Sequence, residues 1–295
     1  LRGILQDKIE KRDFDGAQKF VDHYLQTFRK KPWLMKYRYA LALERDDWDS
    51  AQSLLEDRSM PNVMDKSDIQ RQLIAILVLQ AENHLAENDP HLAVARLKRV
   101  LRLDKLFIPA VTRLAALYLD MDKTSAARAL LDRTWRKDPH PDLIHLWDRV
   151  HSRRKRKSAA TRINWFKKLV DKNPHTAEGY LALAQVAMEE EQWGEAREAL
   201  ERAEEIAPTR KVYYHWADFE DKVNGDRLAI NAYLRKAAEA TPDKAWVCTR
   251  TGQVYKHSRH VDPPHGSFNT IIWTRPFDNL HESIETTALL TGDAA

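Results

Sequence analysis

The sequence predicts an all-α protein built from helical hairpins, and three observations lead to this prediction. Only eight of the 295 residues are glycine, whereas proteins average about 7%. β-Sandwiches need glycine in their turns, and nucleotide-binding folds need it in their phosphate loops. Small residues and prolines both recur with a period close to 34 residues. The 43% hydrophobic content is sufficient for a sizeable core around such hairpins.

The composition also excludes several classes of protein. The net charge of +4 comes from 48 basic and 44 acidic residues, and the two signs are so mixed that we expect no nucleic-acid partner. One cysteine excludes an intramolecular disulfide and a zinc site made only of cysteines. No apolar run is long enough to span a membrane. Because the chain opens at Leu1 with no Met and no signal-like stretch, we expect a soluble piece of a longer protein.

The best-formed hairpin runs from Thr176 to Pro208. Tyr180 and Leu183 share one face of a first helix, and Ala196 and Leu200 share one face of a second, because residues three or four apart lie on the same side of a helix. Pro208 ends the second helix, since proline lacks the N–H that a helix requires.

The same pattern recurs along the chain. The small residue of the second helix lies at Ala17, Ala51, Ala93, Ala127, Ala196 and Ala229. The closing residue lies at Lys105, Pro139, Pro174, Pro208 and Pro242. This 34-residue helix-turn-helix period resembles the tetratricopeptide repeat. The resemblance implies that residues 1–242 form a superhelical repeat array.

Two departures from the period are informative. The step from Ala51 to Ala93 is 42 residues, and we place the eight-residue insertion at Asp57–Asn62. The repeat between Pro139 and Pro174 is degenerate and contains five consecutive basic residues, 153–157. That run suits a phosphate-binding patch or a localisation signal, but a solvated turn is the simpler interpretation, which we favour. Asn88-Asp89-Pro90 predicts the turn of the third hairpin.

A stack of hairpins offers an extended groove, lined by first helices, to a peptide or helix of another protein. Repeat positions predict the residues that line this groove. They are Thr112, Ala116 and Asp120, then Leu181, Gln185 and Met188, and then Tyr214, Asp218 and Lys222. For any one of these positions, plain solvated helix surface is an equally good interpretation.

The helical pattern ends after Pro242, and residues 243–275 predict a small β-type module. Its spacing matches two metal knuckles of the rubredoxin kind, with ligand positions at Cys248, Thr251, Asp262 and His265. Only one soft ligand remains, so we favour a relic that binds no zinc over a Cys-Asp-His site. In the relic, aromatic packing replaces the metal. The aromatic residues concerned are Trp246, Tyr255, Phe268 and Trp273.

Residues 246–252 and 265–273, which read Trp-Val-Cys-x-x-x-Gly and His-Gly-Ser-Phe-Asn-Thr-Ile-x-Trp, follow a helical repeat array. This combination resembles the HemY-type proteins of bacterial haem-synthesis operons. The resemblance implies two transmembrane helices before the repeats, the bacterial inner membrane as location, and a link to late haem synthesis. The lone unpaired Cys248 favours the cytoplasm for the soluble domain, but the side of the membrane stays open. It supplies no reaction. The absence of the full four-cysteine knuckle argues against a metal-dependent role.

We find no nucleophile, dinucleotide or zinc-protease motif, so we expect no enzyme. The conclusion from the sequence is a scaffold that gathers partner proteins, with no cofactor and no small-molecule substrate. Two alternatives stay open. A haem or porphyrin carrier would use His215, beside Trp216, since Cys248 is followed by Thr249 and lacks the proline of a haem-regulatory Cys-Pro dipeptide. An RNA-processing scaffold would use the basic run 153–157. We expect residues 276–295 to form a flexible tail.

Overall fold

The computed structural model describes residues 2–11, 13–27, 32–152, 158–258, 261–262 and 267–276. The chain forms two compact units. The first unit combines residues 1–105 with the segment from Ala245 onward, and the second spans Leu106–Lys244. The C-terminal strands group with the first helices, and the predicted domains 1–242, 243–275 and 276–295 stay a prediction. Residues 277–295 of the predicted tail lie outside the described residues.

Helices in the first unit are α1 (Arg2–Glu10), α2 (Phe14–Thr27), α3 (Pro32–Glu44), α4 (Trp48–Leu55), α5 (Lys66–Ala86) and α6 (Pro90–Leu103). Helices in the second unit are α7 (Ile108–Asp120), α8 (Thr124–Trp135), α9 (Ile144–Ser152), α10 (Ala159–Lys172), α11 (Ala177–Glu189), α12 (Trp193–Ile206), α13 (Arg210–Val223) and α14 (Arg227–Glu239). Strands follow as β1 (Ala245–Cys248), β2 (Val254–Tyr255), β3 (Val261–Asp262), β4 (Ser267–Phe268) and β5 (Ile271–Thr274). None of the described helices is both long and apolar enough to span a bilayer.

Successive helices pack in pairs, which confirms the predicted all-α architecture of helical hairpins. The recurring small residue is fully buried at five of its six positions, namely Ala17, Ala51, Ala93, Ala127 and Ala196. Alanine has no side-chain atoms beyond Cβ, so the backbones of two helices can approach closely there. The sixth position, Ala229, is only half-buried, because α14 buries little of its surface.

The hairpin turns repeat one backbone motif. Asp46, Asn88, Asp122 and Glu191 all adopt a left-handed conformation, with φ between 54° and 61°. In each turn the next residue's N–H bonds to a carbonyl five residues back, as from Gln192 to Ala187 at 2.8 Å. This is the Schellman motif, which satisfies the last carbonyls of a helix. Glycine is the residue most often found at the left-handed position of this motif. Here aspartate, asparagine or glutamate occupies that position instead, which is consistent with the low glycine content of the chain.

The predicted site of the eight-residue insertion is wrong. The segment 57–62 forms a turn and a short 3₁₀ helix, Met60–Asn62, in the connection between α4 and α5. This connection is long only because α4 is short: α4 and its connection span 18 residues, 48–65, as do α6 and its connection, 90–107. The extra residues lie in the first helix of that repeat, since α5 has 21 residues whereas α7 and α11 have 13 each. Eight residues add about two turns at 3.6 residues per turn.

The degenerate repeat is held together by tryptophans and by one arginine. The rings of Trp147 in α9 and Trp165 in α10 stack with centroids 4.4 Å apart. Each indole N–H donates to the other residue's carbonyl, at 3.3 Å from Trp147 and 2.9 Å from Trp165. The basic run 153–157 lies outside the described residues.

Arg162 of α10 connects this repeat to the next one. Its guanidinium donates two hydrogen bonds to the carboxylate of Asp148, at 3.0 and 2.8 Å, and also pairs with Glu189 and Glu190 at 2.9 and 3.0 Å. A fork-shaped guanidinium can make this bidentate contact, whereas an ammonium cannot. The repeat therefore keeps its place in the stack although its sequence pattern is weak.

The C-terminal segment forms the small β structure that the sequence predicts. The strand order β2–β1–β5 is antiparallel throughout, and β3 pairs with β4 as a separate hairpin. Trp246 lies opposite Tyr255 on one side and Trp273 on the other, so three of the four predicted aromatics form one cross-strand row. A rubredoxin-like arrangement is not shown.

Phe268, the fourth aromatic, has a different role from the predicted one. Its ring stacks on Trp48 of α4, with centroids 6.0 Å apart and an interplanar angle of 19°. The neighbouring Asn269 donates from Nδ2 to the carbonyl of Arg71 in α5 at 3.3 Å. The β module is therefore docked on helices of the first unit through residues of the Ser-Phe-Asn motif.

Candidate partner-binding surface

The first helices of the second unit are joined by ion pairs. Helices α7 and α9 are in contact, and Asp120 pairs with Arg149 across them at 2.8 Å. Helices α11 and α13 are also in contact, and Glu178 pairs with Lys211 across them at 2.6 Å. We call the exposed and half-buried side chains of α7, α11 and α13 the first-helix face. The Glu178–Lys211 pair joins two helices of this face, and the Asp120–Arg149 pair joins α7 to the neighbouring α9.

The residues predicted on α7 lie at least partly at the surface. Thr112 and Ala116 are half-buried, and Asp120 is exposed. The hydroxyl of Thr112 donates to the carbonyls of Ile108 and Pro109, at 3.1 and 3.0 Å. Because Thr112 and Asp120 already have partners within the chain, their contribution to binding requires those interactions to be exchanged.

Two of the three residues predicted on α11 are wrong as surface positions. Leu181 and Met188 are each 3% exposed and belong to the core. Helix α11 packs against α10, α12 and α13, so its apolar side chains are buried on several sides. Gln185 is exposed and donates to Glu189 at 3.1 Å.

The residues predicted on α13 all lie at the surface. Asp218 and Lys222 are exposed and pair with each other at 2.8 Å, one helical turn apart. Tyr214 is 52% exposed and makes no hydrogen bond, ion pair or ring contact within the described part of the chain. Exposed tyrosine is a frequent centre of binding energy at protein interfaces. Tyr214 is therefore the strongest single candidate on the first-helix face.

His215 follows Tyr214 and points to a different environment. Burial lowers the pKa of His215 to about 4, and the ammonium groups of Lys211 and Lys222 lower it further, against the carboxylates of Asp218 and Asp243. The imidazole is therefore neutral at physiological pH. The next residue, Trp216, stacks on Tyr233 with ring centroids 5.4 Å apart. Haem binding at His215 stays a prediction.

The predicted metal positions are described only in part. Cys248 is fully buried in β1, and its Sγ lies 3.4 Å from the hydroxyl of Thr270. Thr251 is exposed in a turn and accepts a hydrogen bond from the N–H of Gln253 at 3.3 Å. Asp262 lies in β3, and His265 is outside the described residues. Among the side chains that the structure describes, no three of His, Cys, Asp or Glu converge as metal ligands. Loss of zinc from this module stays a prediction.

Comparison with known proteins supports the repeat architecture. The tetratricopeptide repeat family matches residues 84–146, which cover the end of α5, all of α6, the whole α7–α8 hairpin and the start of α9. A probable magnetosome protein, Mms48 of Magnetospirillum gryphiswaldense, is 24% identical over 188 residues, or 63% of this chain. The matched region spans only 41% of that relative's length.

Solved structures that align with this chain have low sequence identity and low TM-scores. The C-terminal part of a tetratricopeptide repeat protein from Cytophaga hutchinsonii is 13% identical, covers 80% of this chain and 94% of its own, and has a TM-score of 0.38. MamA from Desulfovibrio magneticus is 17% identical, covers 60% of this chain and 95% of its own, and has a TM-score of 0.34. Scores this low carry no inference about what the present chain binds.

Proposed function

We propose that this chain is a non-enzymatic scaffold that binds a partner protein through the first-helix face. The observation that supports this most directly is Tyr214, an exposed aromatic with no partner of its own in the described chain, on a helix of the repeat array. Tetratricopeptide repeats bury one side of each hairpin against its neighbours and leave the rest of the first helices for ligands.

The position of Tyr214 suits a binding centre. It lies one helical turn before Asp218, which pairs with Lys222, and one helical turn after Lys211, which pairs with Glu178. These paired charges form a polar rim around an apolar ring, an arrangement that recurs at protein interfaces. A ring that is already held on a rigid helix loses little conformational entropy on binding.

We also propose which proteins are the partners and where in the cell the protein lies. The tail motif at residues 246–252 and 265–273 resembles HemY-type proteins, so we propose that the partners are enzymes of haem synthesis. By the same resemblance, transmembrane helices preceding the repeats would hold the full-length protein at the inner membrane. The free Cys248 favours the reducing cytoplasm as the side on which this domain lies. The docked Ser-Phe-Asn motif supports only a structural role for these residues.

Site-specific crosslinking in the native cell tests the proposal. A photoreactive amino acid at position 214 should capture a defined protein, whereas the same group at Glu198, which is exposed on the second helix α12, should not. Tyr214→Ala should then weaken binding of the purified partner about tenfold or more, as removal of an interface tyrosine does, without lowering the melting temperature. Identical capture from both positions, or an unchanged Kd, would count against the first-helix face.

The identity of the captured protein separately tests the proposal that the partners are enzymes of haem synthesis. A haem-synthesis enzyme among the proteins crosslinked specifically at position 214 supports the proposed link to haem synthesis. Specific capture of proteins unconnected with haem synthesis would support the proposed scaffold function and overturn the proposed link to haem synthesis.

A further inference from the structure

A cleft of about 240 Å³ is lined by the second helices α8 and α10, and Trp147 of the short helix α9 also contributes to its lining. Its lining is strongly cationic around two aromatic rings. The lining residues are Arg128, Arg136, Trp147, Trp165, Lys168, Asp171 and Lys172. The basic side chains come from two helices that are not adjacent in sequence, so no short sequence motif predicts this site.

The floor of the cleft is rigid. Trp147 and Trp165 are 1% and 2% exposed, are stacked, and are fixed by their mutual indole-to-carbonyl hydrogen bonds. Two of the cations lie over these rings. The Arg128 guanidinium is 5.2 Å from the ring centre of Trp165, and the Lys172 ammonium is 5.9 Å from that of Trp147. Cation–π attraction therefore holds both charges at the cleft.

The spacing along each helix turns the basic side chains to the same side. Arg128 in α8 and Arg136, the C-cap of that helix, are two steps of four residues apart with Asp132 midway, and Lys168 and Lys172 are one such step apart on α10. Residues four apart lie on one helix face. The two stripes therefore face the same cleft.

The acidic residues near the cleft do not neutralise it. Burial of Asp132 opposes its ionisation, but the ammonium of Lys172 and the guanidinium of Arg136 outweigh burial and lower the pKa of that carboxyl. One carboxylate thus serves two cations. Arg128 and Lys168 have no acidic partner among the described residues. Four cations against Asp132 and Asp171 leave a net charge of +2 at the cleft.

We propose that this cleft binds a phosphate monoester group. Such a group carries about two negative charges near pH 7 and accepts hydrogen bonds on three oxygens, which matches two unpaired cations beside two partly paired ones. Pockets for whole small molecules usually measure about 300–1,000 Å³, so a volume of about 240 Å³ suits a single group better than a complete cofactor.

The floor also argues against a single-stranded nucleic acid as the ligand. Proteins that bind such strands stack bases on exposed aromatic faces. The rings of Trp147 and Trp165 are almost fully buried, so they offer no such face. The charged lining comes from second helices, so this site is separate from the first-helix face and does not depend on the proposed function.

Titration calorimetry at low ionic strength tests the proposal with four probes: inorganic phosphate, phosphoserine, adenosine monophosphate and glutamate. We expect the three phosphates to bind with one-to-one stoichiometry and glutamate to bind at least tenfold more weakly. Similar affinities for phosphoserine and phosphate indicate a phosphorylated side chain or free phosphate as the source. A tenfold preference for adenosine monophosphate indicates a nucleotide. Equal binding of glutamate overturns the assignment of a phosphate site.

Matched double variants separate the cleft from general charge. Arg128→Gln with Lys168→Gln should weaken phosphoserine binding at least tenfold. Arg133→Gln with Lys137→Gln removes the same charge from exposed positions outside the cleft lining and should leave binding within twofold. The melting temperature of each variant reports whether it is folded.

A second measurement follows the floor directly. Indole N–H resonances of Trp147 and Trp165, assigned by Trp→Phe replacement, should shift on addition of phosphoserine, while those of other tryptophans stay in place. Equal weakening by both double variants, or phosphoserine binding without a shift of either indole, would overturn the proposal.

Discussion

The left-handed turn residue Glu191 allows a sharp test of how this chain forms its hairpins. Its φ is 55°, and its exposed side chain makes no hydrogen bond or ion pair within the described residues. Any L-residue with a Cβ is strained in this conformation by about 1–2 kcal/mol, whereas glycine is not. We therefore expect Glu191→Gly to stabilise the protein although it adds a flexible residue.

The expected magnitude follows from two opposing effects. Relief of strain contributes about 1–2 kcal/mol, and the larger entropy of the unfolded glycine chain opposes it by about 0.5–1 kcal/mol. The net gain is about 0.5–1 kcal/mol, which corresponds to a rise in melting temperature of about 2 °C for a domain of this size. Glu198→Gly makes the same chemical change inside the exposed face of α12 and should destabilise by about 1 kcal/mol.

Chemical denaturation of wild type and of each variant, followed by far-ultraviolet circular dichroism, measures these differences. Glu191→Gln keeps the backbone strain but removes the charge, so it should leave stability within about 0.5 kcal/mol of wild type. If Glu191→Gly destabilises the protein as much as Glu198→Gly does, the left-handed turn is not the conformation that the chain adopts.

Three further predictions concern other contacts. Phe268→Ala should lower the unfolding free energy by about 3 kcal/mol, and a double-mutant cycle with Trp48→Ala should give a coupling of about 1 kcal/mol; coupling near zero would contradict the docked β module. His215 has a folded pKa of about 4 and an unfolded value near 6.5, so acidification protonates the unfolded chain first. The contribution of His215 to stability should therefore be fully present above about pH 6.5 and fall by up to about 3 kcal/mol towards pH 4, so urea titration at each pH should show a shallower fall for His215→Gln than for wild type. Arg162→Gln should cost about 1–2 kcal/mol, and Arg162→Lys should recover less than half of this in the same assay, because lysine cannot bind Asp148 in bidentate fashion; full recovery would show that only the charge matters.

Much of the repeat architecture follows from interactions that are local in sequence. Buried alanines such as Ala93 and Ala127 are required wherever two consecutive helices cross closely, so their period reveals the hairpins. The turn at Asn88-Asp89-Pro90 is also local, since Asp89 caps the next helix through the N–H of Leu92 at 3.0 Å. Such signals act over four or five residues and can therefore be read without the fold.

Helix length and burial on several sides are harder to predict. The step of 42 residues shows that eight residues are added but does not say whether they lengthen a loop or a helix. Burial of Leu181 and Met188 depends on how many neighbours α11 has, and a single helix pattern does not contain that number. The surface positions on α13 could be predicted because that helix is more open.

The sequence by itself determined the all-α hairpin array, its period and the β-type segment that follows it, because helix faces, caps and turns are encoded by residues a few positions apart. Only the tertiary structure decided that Phe268 stacks on Trp48, 220 residues earlier in the chain. It also decided that Arg128 and Lys168 converge over two buried tryptophans. Contacts between distant segments depend on the packing of whole helices, and side chains of ordinary surface type acquire a role there only when the fold brings them together.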